Sequence, residues 1–268
     1  MSFYTNKVVA ITGGSEGIGK AMVEALLAQG ARVATCARNF DKLYSLQLKY
    51  SNEPLHTITC DVSNEQDCIR FIESTIKTFG RIDILINNAG ISMRALFRDV
   101  DLDVMKTIMD TNFWGAVHCT KHALRSITEN KGTIVGVSSI AGYRGLPGRS
   151  GYSASKFALQ GWLEALRIEM LEKNVNVMWV CPGFTASSLR TAALTKTGET
   201  TGESLMDEET LMSPQESAAI ILDAIEKHKR NVIMSFFGKR TVFYSRFLPG
   251  FADKLIHKYF FKEGKLVR

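Results

Sequence analysis

The sequence contains no uninterrupted apolar segment of about 18 residues, the minimum for a helix that spans a membrane. Its five cysteines are scattered, odd in number and never spaced C-x-x-C, so they indicate neither a disulfide framework nor a zinc cluster. A reducing compartment fits this usage. The first strand-like segment begins at Lys7, too early for a signal peptide to precede it, and we therefore expect a cytoplasmic protein.

Motifs of three other enzyme classes are also missing. No G-K-[ST] follows the glycine-rich turn near the N-terminus, which excludes a P-loop, and no G-x-S-x-G provides the nucleophile elbow of a hydrolase. His118 and His122 are one helical turn apart, but HCTKH lacks the glutamate of H-E-x-x-H and no third ligand is evident. We therefore expect no metal site.

Short apolar runs that alternate with segments of helical period are the main pattern present. The 268 residues are 45% hydrophobic, enough for one large α/β domain or two small ones. Strands are predicted at 7–12, 32–37, 55–60, 82–87, 132–139, 175–180 and 231–235, and helices at 17–29, 64–79, 102–127 and 152–173. This alternation predicts a single-domain, doubly wound (Rossmann) parallel sheet of six to seven strands, with helices on both faces.

Two segments fall outside the alternation. Residues 183–212 have no clear strand or helix pattern, and in such folds a long loop after the carboxyl end of a strand lies over the binding crevice. We predict that this loop is a mobile lid over the substrate. Residues 236–268 are predicted to be a basic, aromatic extension of a catalytic domain that spans 1–235.

The first strand leads into a glycine-rich turn, TGGSEGIGKA at 12–21. Glycines there let the backbone approach a pyrophosphate, and the helix that follows supplies amide donors and a favourable dipole. The spacing is not G-x-G-x-x-G, and a turn that only connects strand to helix is the alternative; its place after the first strand favours a dinucleotide site. The site residues expected in the turn are Gly13, Ser15, Glu16, Gly17, Ile18 and Gly19.

The end of the second strand indicates which dinucleotide is bound. It reads Cys36-Ala37-Arg38-Asn39 and has no acidic residue to bond a ribose 2′-hydroxyl. An arginine there accepts a 2′-phosphate, so Arg38 predicts NADP(H) rather than NAD(H). Glu16 leaves an alternative open, because it places an acid where many phosphate binders carry a base; Arg38 would then be a solvated charge.

The segment GYSASKF at 151–157 places a phenol and an ammonium, Tyr152 and Lys156, four residues apart. On a helix both lie on one face, about 5 to 6 Å from each other. A nearby ammonium favours the phenolate and lowers the pKa of the tyrosine, which makes it a usable proton donor. Pairs with this spacing also occur on helix surfaces without any catalytic role, so the rest of the chain must decide.

Six motifs occur in order along the chain: CDVS at 60–63, NNAG at 87–90, TNFWG at 111–115, VSSIAG at 137–142, YSASK at 152–156 and CPGF at 181–184. Together with the glycine-rich turn, they resemble the short-chain dehydrogenase/reductase family over almost the whole chain. The resemblance implies that Tyr152 is the general acid/base, that Lys156 lowers its pKa and holds the nicotinamide ribose, and that Ser139 binds the substrate oxygen. Asn112 would complete a tetrad through a proton-relay water, and Ser138 competes with Ser139.

The same resemblance implies the remaining cofactor contacts. On the adenosine side they are Asp61, Val62, Asn88, Ala89 and Gly90. At the nicotinamide end they are Pro182, Gly183 and either Thr185 or Ser187. Asn88 and Asn112 have an alternative role as buried amides that satisfy backbone groups.

The predicted chemistry is the interconversion of a ketone and a secondary alcohol by an NADP(H)-dependent oxidoreductase. Reduction of a ketone needs a hydroxyl donor aimed at the oxygen and a proton source of matched pKa, and Ser139 and Tyr152 would supply them. The resemblance also implies a homodimer or homotetramer built largely on the helix that bears Tyr152, of which we expect the dimer. A non-catalytic NADP(H)-binding sensor and a membrane-surface scaffold are the alternatives, and no motif indicates nucleic acid.

The C-terminal region carries most of the positive charge. Residues 229–268 hold ten Lys and Arg against Asp253 and Glu263, interleaved with aromatic side chains. This composition suits a segment that meets an anionic membrane surface, or a tail that packs on the body or on a second subunit.

The tail, with the block from SSIAG to SASKFALQG, resembles lipid-acting members of the family such as 3-ketodihydrosphingosine reductases and corticosteroid 11-beta-dehydrogenases. Those relatives favour apolar carbonyl substrates, so a role in lipid metabolism is expected. The side chains that this resemblance places in the substrate pocket, with core packing as the alternative, are Met93, Leu96, Phe97, Leu146, Phe184 and Leu189.

Overall fold

A seven-stranded parallel sheet forms the centre of the molecule. The computed structural model describes residues 1–183, 185, 189–202 and 211–267. The strands are β1 (Val8–Thr12), β2 (Arg32–Ala37), β3 (Leu55–Thr59), β4 (Ile84–Asn87), β5 (Thr133–Val137), β6 (Asn176–Cys181) and β7 (Asn231–Ile233). Their order across the sheet is β3-β2-β1-β4-β5-β6-β7, and all neighbours are parallel. The predicted fold class is confirmed.

Helices follow most of the strands. They are α1 (Gly17–Ala28), α2 (Phe40–Lys49), α3 (Glu65–Phe79), α4 (Leu102–Met109), α5 (Gly115–Glu129), α6 (Ser150–Glu169), α7 (Pro214–Glu226), α8 (Phe236–Phe247) and α9 (Pro249–Phe260). A short antiparallel hairpin of β8 (Phe261–Lys262) and β9 (Lys265–Leu266) follows α9.

Both faces of the central strands are buried, which explains why these strands are largely apolar. Every residue of β1, β4 and β5 is buried. α1 and α7 cover one face with side chains such as Met22 and Ile221. α3 and α6 cover the other with Phe71 and Leu163. The helices packed on both faces fix the positions of the carboxyl ends of the strands, where the candidate site lies.

The structure differs from the predicted helices in two ways. The helix predicted at 102–127 is two α-helices joined by a π-helical turn, Asp110–Trp114. The sequence patterns also did not single out α2, α7, α8 and α9. For α7 a signal was available, because Ser213 and Glu216 form a capping box around Pro214 at its start.

The strand order reverses between β1 and β4, since β2 and β3 extend the sheet on one side and β5 to β7 on the other. In open α/β sheets, ligands bind outside the carboxyl ends of the strands at this switch point. The loops after β1 and β4 meet there, where Asn88 Nδ2 donates a hydrogen bond to the carbonyl oxygen of Gly13 at 3.1 Å.

Part of the predicted lid can be placed. Residues 184, 186–188 and 203–210 lie outside the described residues. The segment 189–202 is held against the loop after β4, because the amide of Leu194 donates to the carbonyl of Ser92 at 2.9 Å and the amide of Arg94 donates to the carbonyl of Leu194 at 2.8 Å.

The C-terminal segment packs on the loop that precedes α6. Asp253 forms an ion pair with Arg144. Leu266 covers Gly148, where an added Cβ would lie 2.5 Å from Leu266 Cδ2. A Cβ added to Gly238 of α8 would lie 2.7 Å from Ile140 Cδ1. The segment therefore contributes to the wall around the carboxyl ends of the strands. Within the described part of the chain, no helix has the length and apolar composition needed to cross a membrane.

Candidate active site

A cavity of about 430 Å³ opens at the switch point. It is lined by all the predicted cofactor residues and by three of the four predicted catalytic residues. The cofactor residues are Gly13, Ser15, Glu16, Gly17, Ile18, Gly19, Arg38, Asp61, Val62, Asn88, Ala89, Gly90, Pro182, Gly183 and Thr185. The catalytic residues are Ser139, Tyr152 and Lys156.

The glycine-rich turn brings its backbone close to the loop after β4. A Cβ added to Gly19 would lie 2.1 Å from the carbonyl oxygen of Gly13, and one added to Gly13 would lie 3.0 Å from Cα of Ala89. Gly13 and Gly17 also have positive φ, 71° and 55°. Side chains at these positions would collide with backbone atoms, so the glycines permit close packing of the turn, the start of α1 and the loop after β4.

Asn88 supports this turn from β4. Its side-chain Nδ2 donates to the carbonyl oxygens of Thr12 at 3.0 Å and of Gly13 at 3.1 Å. Its backbone amide donates to Thr12 Oγ1 at 3.0 Å. Both hydrogens of the side-chain amide are donated to backbone carbonyls, so Asn88 stabilises the turn. This is the alternative role considered for it, that of an amide that satisfies backbone groups.

Positive charge gathers where β2 ends. Arg38 and Lys42 both line the cavity, and Lys42 forms an ion pair with Glu16. Asn39 caps α2, because its side chain accepts a hydrogen bond from the amide of Lys42 at 2.9 Å. Glu16, the acid that left an alternative to NADP(H) open, is therefore paired with Lys42, a base that sequence reasoning had not considered.

Tyr152 and Lys156 lie one turn apart on α6 and are almost fully buried, with 6% and 4% of their surfaces exposed. Lys156 Nζ is 5.7 Å from the centroid of the tyrosine ring and donates to the carbonyl oxygen of Val137 at 2.9 Å. Burial lowers the pKa of Lys156 to about 8. Burial also raises the pKa of Tyr152, while a hydrogen bond from Ser139 and the charge of Arg149 act in the opposite direction.

A cation beside Tyr152 was missed at the level of sequence. Sequence reasoning considered Lys156, whose Nζ is 5.7 Å from the centroid of the tyrosine ring. The charge of Arg149 acts on the phenol and lowers its pKa. Arg149 lies three residues before Tyr152, at the N-cap of α6.

The two candidate serines have different partners. Ser139 lies within hydrogen-bonding reach of Tyr152, and its Oγ accepts from the amide of Ala141 at 3.2 Å. Ser138 is buried, and its Oγ accepts from Gln160 Nε2 at 2.8 Å. The geometry therefore groups Ser139, rather than Ser138, with the phenol.

Asn112 lies behind the cavity wall in the π-helical turn. Its Oδ1 accepts from the amide of Ile91 at 2.8 Å, and its Nδ2 donates to the carbonyl of Ile91 and to Ser155 Oγ, both at 2.9 Å. The side chain thus joins the loop after β4 to α6, the helix that carries Tyr152. Each polar atom of the amide is used, which matches the alternative reading of a buried structural amide.

The substrate end of the cavity has an apolar wall that includes Met93, Leu146 and Leu189, as predicted. Leu96 and Phe97 do not line it, and Phe97 is 67% exposed. The family resemblance placed both residues in the substrate pocket, whereas the side chain of Phe97 is mostly in solvent. Phe184 and Ser187 lie outside the described residues.

At the nicotinamide end of the predicted site, Thr185 lines the cavity. Its Oγ1 donates to the carbonyl of Gly183 at 3.1 Å and lies 3.0 Å from Ser217 Oγ. Sequence reasoning missed Arg94, Arg149, Arg190 and Phe237, which also line the cavity.

The histidine pair considered for metal binding has other partners. His122 Nε2 lies 3.0 Å from Glu65 Oε1, and His118 stacks on Trp114. Across the residues that the structure describes, no three His, Cys, Asp or Glu side chains are grouped as metal ligands would be.

Comparison with known proteins shows which family the chain resembles. The family described as short chain dehydrogenase matches residues 7–198. Dehydrogenase/reductase SDR family member 7B of Mus musculus is 34% identical over 275 residues, which cover 98% of this chain and 84% of the relative. Dehydrogenase/reductase SDR family protein 7-like of Anopheles gambiae is 36% identical over 254 residues, 90% of this chain and 79% of that protein.

Solved structures show the same architecture. A short chain dehydrogenase/reductase from Burkholderia phymatum in complex with NAD superposes with a TM-score of 0.81 at 19% identity, over 92% of this chain and 95% of that one. A short-chain dehydrogenase from Streptomyces avermitilis gives a TM-score of 0.78 at 25% identity over 95% of each chain.

Proposed function

The chain belongs to the short-chain dehydrogenase family and is an oxidoreductase of that family; from this premise we propose that it interconverts a ketone and a secondary alcohol with NADP(H). The observation that carries the proposal is the meeting of Ser139 and Tyr152 in the cavity wall, beside the buried ammonium of Lys156. A hydrogen-bond donor and a proton source so placed are what carbonyl reduction needs.

The residues present fit a nicotinamide dinucleotide. Gly13, Gly17 and Gly19 line the cavity at the glycine-rich turn and the start of α1, where a pyrophosphate would meet backbone amides. At the other end, Lys156 is a buried ammonium that donates to a single backbone carbonyl, which leaves donors for ribose hydroxyls. Arg38 and Lys42 at the end of β2 favour a cofactor with a 2′-phosphate.

The chain's own residues would divide the chemistry between them. The bound dinucleotide would supply or accept the hydride. Ser139 would donate a hydrogen bond to the substrate oxygen, where negative charge grows during reduction. Tyr152 would deliver the proton to that oxygen, and Lys156 and Arg149 would favour the tyrosinate that takes the proton back in the reverse direction. Asn112 would hold α6 against the loop after β4 and so position the phenol.

The substrate is proposed to be apolar over part of its length, and the C-terminal segment to reach a membrane surface. Met93, Leu146 and Leu189 support the first point, since they face the cavity next to Tyr152. Exposed aromatic side chains on α8 and α9 support the second, among them Phe243, which is 55% exposed, and Phe247, which is 62% exposed.

A homodimer built on α6 is also proposed. Phe157, Gly161 and Ile168 share one exposed face of this helix, and space is open beyond Gly161, so a second copy can approach closely. Sedimentation velocity tests the proposal. The wild type should sediment as a dimer and Ile168→Lys as a monomer, whereas a monomeric wild type would contradict it.

Cofactor choice and catalysis are tested together. NADPH and NADH binding is measured on the wild type, on Arg38→Ala and on Arg32→Ala, an exposed control at the other end of β2. NADPH should bind more tightly than NADH, and Arg38→Ala alone should remove about tenfold or more of that preference. Equal binding of the two cofactors by the wild type would overturn the NADP(H) assignment.

Turnover is then followed as NADPH consumption with a panel of long-chain ketones. Tyr152→Phe should lower kcat by about 10²-fold or more, while Tyr44→Phe, which alters an exposed tyrosine on α2, should not. If NADPH binds tightly and no ketone or alcohol is turned over, the non-catalytic sensor is the better description. A protein that turns over nothing but floats with vesicles is better described as a membrane-surface scaffold.

A further inference from the structure

Three arginines, Arg94, Arg149 and Arg190, line the cavity together with Tyr152. The carboxylates among the described lining residues, Glu16 and Asp61, belong to the glycine-rich turn and to the loop after β3, at the adenosine end. Basic residues therefore line the cavity at both ends.

Arg149 is the member of this group whose environment is most informative. Its Nε is fully enclosed and has no hydrogen-bond partner among the described residues. The charges that act on the guanidinium are those of Tyr152, Arg94 and Tyr259, none of which is a carboxylate. Burial lowers its pKa, and the neighbouring Arg94 acts in the same direction. An enclosed Nε–H without an acceptor is costly, and an anion bound to this guanidinium in the cavity would lower that cost.

The position of Arg149 limits where such an anion lies. It is the N-cap residue of α6 and stands three residues before Tyr152. Both residues line the cavity. The charge of Arg149 acts directly on the phenol. An anion bound there lies only a few bonds from the carbonyl carbon whose oxygen meets Tyr152.

We infer that the ketone substrate carries an oxyanion, a carboxylate or a phosphate, close to its carbonyl group, and that Arg149 binds it. This inference rests on the proposed ketone chemistry. Arg94 and Arg190 also line the cavity. The apolar wall formed by Met93, Leu146 and Leu189 then holds the rest of the substrate, which is an amphiphile with its charged end next to the reacting carbon.

The test uses ketones that differ only in charge. A long-chain gamma-keto acid is compared with its methyl ester, and the phosphate monoester of a long-chain alpha-hydroxyketone with the free hydroxyketone. The wild type should prefer the charged member of at least one pair by about tenfold or more in kcat/KM. Preference in both pairs indicates any oxyanion, and preference in one pair identifies carboxylate or phosphate.

Variants assign the preference to Arg149. Arg149→Gln should reduce the ratio of charged to neutral kcat/KM by about tenfold, mainly through KM of the charged ketone, and Arg149→Lys should restore part of it. The control is Arg98→Gln, which removes the same charge from an arginine that is 80% exposed on its side chain and does not line the cavity. It should leave the ratio unchanged.

Binding separates this inference from the proposed function. Dodecyl phosphate and laurate are titrated calorimetrically into the NADPH-loaded protein, with dodecanol as the neutral counterpart. Weaker binding of the two anions by Arg149→Gln than by the wild type supports the anion site even if no ketone is turned over. Equal turnover of charged and neutral ketones by the wild type, or an unchanged ratio in Arg149→Gln, overturns the inference and leaves the ketone chemistry standing.

Discussion

Lys156 Nζ lies 5.7 Å from the centroid of the Tyr152 ring and donates to the carbonyl of Val137, so the ammonium is buried without a carboxylate. Burial lowers its pKa to about 8, whereas the unfolded chain keeps a lysine protonated to about pH 10. Between these values the unfolded state binds more protons than the folded state. The contribution of Lys156 to the free energy of unfolding therefore rises with pH across this window.

Comparison with Lys156→Met isolates this effect. The difference in unfolding free energy, wild type minus variant, should increase by about 1 to 3 kcal/mol from pH 8 to about pH 10. Urea unfolding of the cofactor-free proteins measures it. Lys121→Met, which alters an exposed lysine on α5, should give a difference that does not change with pH. A flat curve for Lys156→Met would show that the ammonium is hydrated in the folded protein.

The glycine-rich turn should tolerate no side chain at Gly19. In Gly19→Ala the new Cβ would lie 2.1 Å from a backbone carbonyl, that of Gly13, so the turn must move. We expect the unfolding free energy to fall by about 2 kcal/mol or more and NADPH binding to be lost. Gly250→Ala is the matched control, because nothing lies within 4 Å of that Cβ in the first turn of α9. It should stabilise the protein by about 0.5 to 1 kcal/mol.

Equal effects of these two substitutions would contradict the close approach of Gly19 to the carbonyl of Gly13. Thermal and urea unfolding give the stabilities, and fluorescence titration gives the affinity for NADPH. A stable Gly19→Ala protein that binds NADPH like the wild type would also show that this close approach is not needed for the cofactor site.

Ser138 and Ser139, which sequence reasoning could not separate, should differ when each is changed to alanine. Ser139→Ala removes the hydroxyl next to Tyr152 and should lower kcat by about 10²-fold. Ser138→Ala removes an acceptor of Gln160 and should lower the unfolding free energy by about 1 kcal/mol, with a smaller effect on kcat. Steady-state kinetics and urea unfolding measured on both variants decide. The opposite pattern would assign the substrate contact to Ser138.

The sheet and most of the cavity could be predicted because their signals are local. Continuous valine and isoleucine runs indicate buried parallel strands, and glycines after β1 indicate a close backbone approach. The π-helical turn at Asp110–Trp114 gave no such signal, since one wider turn hardly changes the apolar period. It is this turn that directs Asn112 onto Ile91 and Ser155.

Arg149 shows why the substrate end was harder to predict. Its electrostatic environment includes Tyr259, more than a hundred residues away, and the C-terminal segment covers the loop before α6 through Leu266. No local pattern reports such a contact. The pairing of Lys42 with Glu16 was missed for the same reason, because Glu16 precedes α1, Lys42 lies on α2, and the two meet only when the sheet has formed.

The C-terminal segment should bind anionic membranes through three exposed rings, those of Phe243, Phe247 and Phe251, here called the aromatic face. Each is at least half exposed, and the ring centroids of Phe243 and Phe247 are 4.9 Å apart. Basic residues on the same two helices, Arg240 and Lys254 among them, suit anionic headgroups. The wild type should float with vesicles that contain phosphatidylserine, and less so at high salt.

Replacing the three phenylalanines of the aromatic face with serine should abolish flotation, because each buried ring contributes about 1.5 to 3 kcal/mol to partitioning. The matched control is Phe40→Ser with Tyr44→Ser, which removes two stacked, exposed rings from α2 and should leave flotation intact. Loss of flotation in both proteins would indicate nonspecific adhesion. A wild type that stays in solution at low salt would exclude the membrane, and the exposed rings would then be assigned to a protein contact, which sedimentation of the serine variant would reveal.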